Sequence, residues 1–168
     1  MKALHNIIWL LIIVILQPIL ISSLRVFGVA ADLFLCFAAL NGFHNGRVQG
    51  AVWGMIFGLA LDICVGRFVG ANMIALALAG YLAAVFSDRF YGEPPFYVLM
   101  SMGAVEAVIC SLVYLVPYSV AGDGVAPLAV LRIFLVGAAL NAVLILPVEW
   151  CFKRTLGLMK IQNTKNFR

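Results

Sequence analysis

The feature that most narrows what this chain can fold into is a succession of apolar runs, most of them long enough to cross a lipid bilayer, divided by short polar turns. A hydrocarbon core about 30 Å thick takes roughly 20 helical residues to cross. The run at 6–24 satisfies this by itself, with Pro18 as an expected kink in its outer half. Further spans are expected at about 26–43, 49–64, 70–86, 95–116 and 127–151. Asn45-Gly46, Gly66, Gly92 with Pro94-Pro95, and Gly122-Asp123-Gly124 supply the turn signals between them. The expected architecture is an all-α integral membrane protein. It forms one domain over 1–168, a bundle of six transmembrane helices, with a short basic tail at 152–168. The third span is short and crosses only if it is helical throughout, with Arg47 and Arg67 snorkelling at its ends. Lys2 ahead of an apolar stretch resembles a signal peptide, but the stretch is too long for an h-region of about 7–15 residues, so it is expected to be retained.

Composition agrees with lipid as part of the solvent. Hydrophobic residues make up 65% of the chain and charged ones 11%, with a mean hydropathy of +1.11. Soluble domains run at about 45–50% and about 25%. A net charge of +4 in a soluble chain points to nucleic acid, but no basic stripe interleaves with aromatics here, so nucleic-acid binding is set aside. The positive residues instead sort by loop. With the N-terminus inside, Lys2, Arg47, Arg89, Lys153, Arg154, Lys160, Lys165 and Arg168 are cytoplasmic, against Arg25, Arg67 and Arg132 outside. By the positive-inside rule both termini are cytoplasmic. The basic tail is drawn to anionic headgroups.

Catalytic and metal chemistry find little to work with. Cys36, Cys64, Cys110 and Cys151 lie in or beside apolar runs, where they read as small buried hydrophobes rather than a disulfide framework. There is no C-x-x-C, no His-centred ligand set and no H-E-x-x-H, and the two histidines are His5 and His44. Neither catalytic residues nor a cofactor is expected. Asp32 and Asp62 form an aspartyl dyad only in principle, since no protease motif surrounds either.

The polar and small residues inside the spans carry more information. Gly50, Gly54 and Gly58 recur every fourth residue and Asp62 continues the row. In lipid, small residues let backbones approach, so this row reads as a contact surface for another helix, either of this chain or of a partner. Span four has a weaker row at Ala71, Ala75, Ala79 and Ala83, and Trp9, Trp53 and Trp150 read as an interfacial belt. A charge at a span centre costs about 2.5–3.5 kcal/mol on insertion scales, so each acidic residue near the membrane calls for a reason. Asp32 and Asp62 fall at the outer side, where with Arg25, Arg67 and Arg132 they form either an ionic cluster or independent interfacial charges. Glu149 reads as cytoplasmic and interfacial. Glu106 lies near the middle of span five, with Asn141 at matching depth in span six as its candidate partner.

Read together, Asp32-Leu33-Phe34-Leu35, the turn at Gly46-Arg47, Gly50-x3-Gly54-x3-Gly58-Leu59-x2-Asp62, Gly66-x3-Gly70-x-Asn72 and Gly80-Tyr81-Leu82 resemble the rod shape-determining MreD family. The resemblance covers nearly the whole chain and is most specific over about 32–82. Ala31 stands where the family often has proline before the aspartate. The resemblance implies a non-enzymatic inner-membrane scaffold of the bacterial elongation machinery. That scaffold would bind MreC and, through it, be linked to MreB, to RodA and to its penicillin-binding partner. Homodimerisation is plausible for such a scaffold. It also implies a helix arrangement like that of the substrate-binding subunits of energy-coupling-factor transporters. Such a vitamin-binding subunit is the rival reading, but its docking helix, the first span, usually carries small residues. Here that span is bulky throughout. The resemblance points to Gly50, Gly54, Gly58, Asp62, Gly66 and Gly70 as the helix-packing set.

Overall fold

The computed structural model describes residues 2–23, 25–65, 70–88, 98–105, 107, 108, 112 and 127–165. Its elements in chain order are α1 (Lys2–Ser23), β1 (Arg25–Val26), β2 (Val29–Ala30), α2 (Leu33–Asn45), α3 (Arg47–Val65), α4 (Ala71–Ser87), a helical stretch α5 over 98–105, and α6 (Pro127–Lys165). Helices α3 and α4 run in opposite directions, since Gly50, Gly54 and Gly58 lie in turn against Gly80, Leu76 and Asn72. The face where α1 begins is here called the near face, and the face carrying the β1–β2 hairpin the far face.

The surface is not that of a water-soluble protein. His5, Asn6, Gln17, Asn41, Asp62, Asn72, Asn141 and Glu149 are buried, while Leu11, Ile15, Ile19, Val48, Ile63, Ile74 and Leu135 are exposed. Among the described residues two helices are long and apolar enough to cross a membrane, Leu4–Ser22 and Leu131–Thr155. Only 22% and 28% of these windows is buried, which is the exposure of lipid-facing helices rather than of core helices. Large apolar side chains turned outward around an apolar core that also holds these polar groups need lipid, not water, as their solvent.

The second helix is where structure and sequence expectation part. Residues 26–32 are not helical, contrary to the expected span of 26–43. Phe27 and Gly28 both have positive φ, 51° and 81°, which makes a two-residue turn between β1 and β2. Primed turns of this kind match the twist of the paired strands. The hairpin pairs Arg25 with Ala30 and Val26 with Val29, so the backbone bonds across the ladder instead of along a helix. It lies on the first turns of α6, where Arg132 reaches Gly28 and Gly137 faces Val29. The following α2 has 13 residues and rises about 20 Å, too short to cross the hydrocarbon alone. It need not meet lipid, because residues 33–43 are all buried among the other helices.

The last helix departs the other way. The tail expected at 152–168 continues α6 without a break to Lys165. Pro147 does not end the helix, and residues 152–165 include good helix formers with no further proline.

Three backbones meet near the α2–α3 turn. A Cβ on Gly42 would overlap the Gly80 carbonyl, one on Gly50 would overlap both Gly80 and Gly42, and one on Gly80 would overlap the Gly50 carbonyl. Further along the same interface Gly54 lies against Leu76 and Ala77, and Gly58 against Asn72 and Met73. On the opposing side Ala75, Ala79 and Ala83 of α4 are buried. The α2–α3 turn is closed by Gly46, whose φ is 95° and whose N–H donates to Gly42 O at 3.0 Å. Ser87 Oγ donates to Phe43 O at 2.8 Å and Arg47 Nε to Asp88 Oδ2 at 3.0 Å, tying the near ends of these helices together. Around Phe37, wholly buried, stand His5, Trp9, Phe57 and Phe152 with ring centroids 4.9–6.5 Å away. Trp9 and Trp53 thus face inward as well as toward an interface, whereas Trp150 is exposed.

Gly80→Ala gains helix propensity of up to about 1 kcal/mol but forces the three backbones apart, so a net loss of about 2 kcal/mol is expected. Gly137→Ala, whose Cβ would sit 3.8 Å from Val29 Cγ1, should be neutral or stabilising. Thermal unfolding of the two variants in detergent separates them, and equal melting would mean that the seam tolerates a methyl.

Candidate functional site

The most organised polar chemistry lies at the starts of α2 and α4. A helix leaves its first N–H groups without intrahelical partners, and in hydrocarbon each must find one. For α2 the accounting is complete. Asp32 is the N-cap, with φ −112° and ψ 106°, and its Oδ1 accepts from Phe34 N at 2.9 Å and Leu35 N at 3.3 Å. Leu33 N donates to Gln17 Oε1 at 2.9 Å, and Gln17 Nε2 donates to Ala31 O at 3.2 Å. Asp32 N donates to Asn141 Oδ1 at 2.8 Å. Cys36 N then bonds Asp32 O at 3.2 Å, and the helix supports itself from there.

Two neighbouring helices, α1 and α6, therefore join the cap in holding one helix start. Asn141 lies about 15 Å along α6 from Leu131, so α2 begins well below the far face. The hairpin descends to meet it.

The start of α4 is held by one carboxylate. Asp62, 2% exposed, accepts at Oδ2 from Gly70 N at 2.8 Å and Met73 N at 3.2 Å. Its Oδ1 accepts from Asn72 N at 3.2 Å and Asn72 Nδ2 at 2.7 Å. Gly70 takes the left-handed φ of 101° that lets the chain turn into α4 under this carboxylate. Four charge-assisted bonds account for an aspartate buried at the end of an apolar helix.

The residues singled out from sequence distribute as follows. Gly50, Gly54, Gly58 and Asp62 all face α4 of this chain, in register with Gly80, Leu76, Asn72 and the α4 N-terminus, and Gly70 opens α4. Gly66, Arg67 and Glu106 lie outside the described residues, as does much of the expected span at 95–116. Among the described residues no ion pair joins Asp32 or Asp62 to Arg25 or Arg132. Arg25 Nε instead donates to Ile21 O at 2.8 Å, and Arg132 lies at the hairpin turn. Asn141, expected beside Glu106, gives its side-chain oxygen to Asp32 N, while Gly103 of α5 packs 3.0 Å from its carbonyl by Cβ position.

Gln17 and Gly42 carry no expectation from the sequence, and Gly80 enters there only within Gly80-Tyr81-Leu82 and not as a packing residue. A lone glutamine within an apolar run was the available signal for the first, since polar side chains in spans face the bundle interior. At the near face Glu149, 4% exposed, has Lys153 Nζ at 3.1 Å and His44 Nε2 at 3.4 Å. Neither Cys36 nor Cys151 is in a disulfide. No metal-binding cluster of His, Cys, Asp or Glu exists among the described residues.

This layout, with an aspartate before α2, a glycine row ending in an aspartate on α3, and Gly70-x-Asn72 opening α4, coincides with the motifs by which the sequence resembles a known family. A family model described as rod shape-determining protein MreD matches residues 2–155. The chain belongs to the MreD family. No curated protein and no solved structure matches it. MreD proteins are membrane proteins of rod-shape determination, and in this member the motif residues hold helix starts and a helix seam together.

Asp62→Ala strips the acceptor from four donors and is expected to cost at least about 3 kcal/mol. Asp32→Asn keeps a side-chain oxygen that caps nearly as well, so its loss should stay below about 1 kcal/mol. Denaturant unfolding in detergent measures both, and an Asp62→Ala protein as stable as wild type would contradict the capping role.

Proposed function

We propose that this MreD protein is a non-enzymatic scaffold of the bacterial cell-elongation machinery that binds MreC within the membrane and helps organise peptidoglycan synthesis. The match to the family over residues 2–155 carries the reading, since it spans all but the last ten residues of α6. MreB, RodA and the penicillin-binding partner of RodA are joined to it directly or through MreC. Six spans, both termini in the cytoplasm and a helix order like that of energy-coupling-factor substrate subunits belong to the same proposal. The loop distribution of lysine and arginine supports that orientation, with the near face as the cytoplasmic one.

The use of the glycine row changes where a partner helix docks. Because Gly50, Gly54 and Gly58 are spent on α4, the faces left for MreC are lipid-exposed ones, such as the Leu11, Ile15 and Ile19 side of α1 or the Val52, Met55 and Leu59 side of α3. In lipid such a contact is driven by van der Waals packing and not by removal of apolar surface from water. A bulky face therefore needs a shape-complementary partner.

The tagged full-length chain, extracted in mild detergent, is expected to retain MreC, and its depletion from a rod-shaped cell to give rounded cells. Rod shape kept after depletion, together with nanomolar binding of a vitamin, would transfer the chain to the transporter-subunit reading.

A further inference from the structure

Where α1 and α6 part near their near-face ends, an open groove of about 390 Å³ lies between them. Its walls include Ile8, Ile12, Trp9 and Trp150, and Arg154 and Thr155 stand at the α6 side. The polar atoms of this region are largely satisfied locally. Trp9 Nε1 donates to His5 Nε2 at 2.9 Å and to Thr155 Oγ1 at 3.2 Å, and Thr155 Oγ1 in turn lies 2.9 Å from Phe152 O. What remains to meet a ligand is apolar wall and one cation. Arg154 is exposed, with its guanidinium 5.1 Å from the centre of the Trp150 ring. Among the described residues it has no carboxylate partner, whereas its neighbour Lys153 is paired with Glu149 at 3.1 Å. From residue 151 to the end the chain has no acidic residue, while Lys153, Arg154, Lys160, Lys165 and Arg168 are basic.

We infer that this groove seats an acyl chain of an anionic phospholipid whose phosphate lies against Arg154. A slot between two lipid-facing helices takes a hydrocarbon chain along Ile8 and Ile12, and a cation at the headgroup end selects the charge. A packed helix with its side chains is about 10 Å across and covers a cavity of this size without filling it. It would also leave Arg154 without an anion. A zwitterionic lipid brings its own cation to the same place. Charge complementarity therefore favours the anionic lipid. The inference depends on the topology proposed above only for naming the leaflet as the cytoplasmic one.

The groove supplies its own reporters, since two of the three tryptophans, Trp9 and Trp150, line it. In full-length protein carrying Trp53→Phe, reconstituted in phosphatidylcholine vesicles, the probe is dibrominated phosphatidylglycerol or dibrominated phosphatidylcholine with the same chains. The brominated anionic lipid is expected to quench with about five-fold higher apparent affinity, the weight of one basic residue at an anionic surface. Arg154→Gln should bring the two lipids nearly level, and Ile12→Phe, which narrows the groove without adding a reporter, should reduce close contact by both. Lys160→Gln, further along the same helix, should leave the preference largely intact.

Equal quenching by the two lipids in the Trp53→Phe protein overturns the inference, as does equal loss of preference in Arg154→Gln and Lys160→Gln. Quenching by both lipids that falls as protein is concentrated in the vesicles would assign the groove to a second copy of the chain and overturn it too. Quenching by neither lipid would overturn the membrane reading along with it, whereas equal quenching by both leaves that reading standing.

Discussion

In hydrocarbon a backbone N–H without a partner costs several kcal/mol, and in this protein two helices start where water cannot be relied on to supply one. That requirement organises the fold. The first N–H groups of α2 are met by Asp32, Gln17 and Asn141, drawn from the cap itself, from α1 and from α6. Those of α4 are met by Asp62 at the end of α3. Each bond also fixes which helix stands next to which, so satisfying the backbone and choosing the neighbour are one event.

Starting α2 below the far face has consequences for everything packed around it. A helix of 13 residues needs protein on every side, and the bundle provides it by bringing α3 and α4 to glycine-limited distance. Gly42, Gly50 and Gly80 let carbonyls and Cα atoms of three helices share one place, and Phe37 with its ring of aromatics fills the α1, α2 and α6 side. The hairpin over 25–30 follows from the same geometry, because the chain leaving α1 must descend to reach the α2 start with its own backbone bonded. Polar side chains are thereby drawn inward, and the outer surface becomes a field of leucine, isoleucine and valine for lipid or partner helices.

Much of this was legible residue by residue. Asp32, Asp62 and Asn141 stand out because a polar group in an apolar run demands a reason, and each has one in the structure. The four-residue glycine spacing on span three identified a close helix contact, though not its occupant, which periodicity on one helix cannot name. The hairpin was missed because Phe27-Gly28 lacks the Asn-Gly signal of a two-residue turn and sits in an apolar run that reads as helix. Gly42 and Gly80 carry no pattern along their own helices, and only the crossing of three helices gives them meaning. The length of α6 is not legible because the change from apolar to basic at residue 152 ends the apolar pattern without ending the helix.

For a protein of rod-shape determination, a bundle whose helix order is set by buried caps offers partners a surface that keeps its shape. That helix order depends on the caps excluding water from the starts of α2 and α4. Backbone hydrogen exchange on the full-length protein in lipid nanodiscs tests this directly. It should find the amides of 32–36 and 70–74 exchanging as slowly as the helix interiors, with Gln17→Leu releasing 32–36 alone. Fast exchange at both helix starts in the wild-type protein would contradict it.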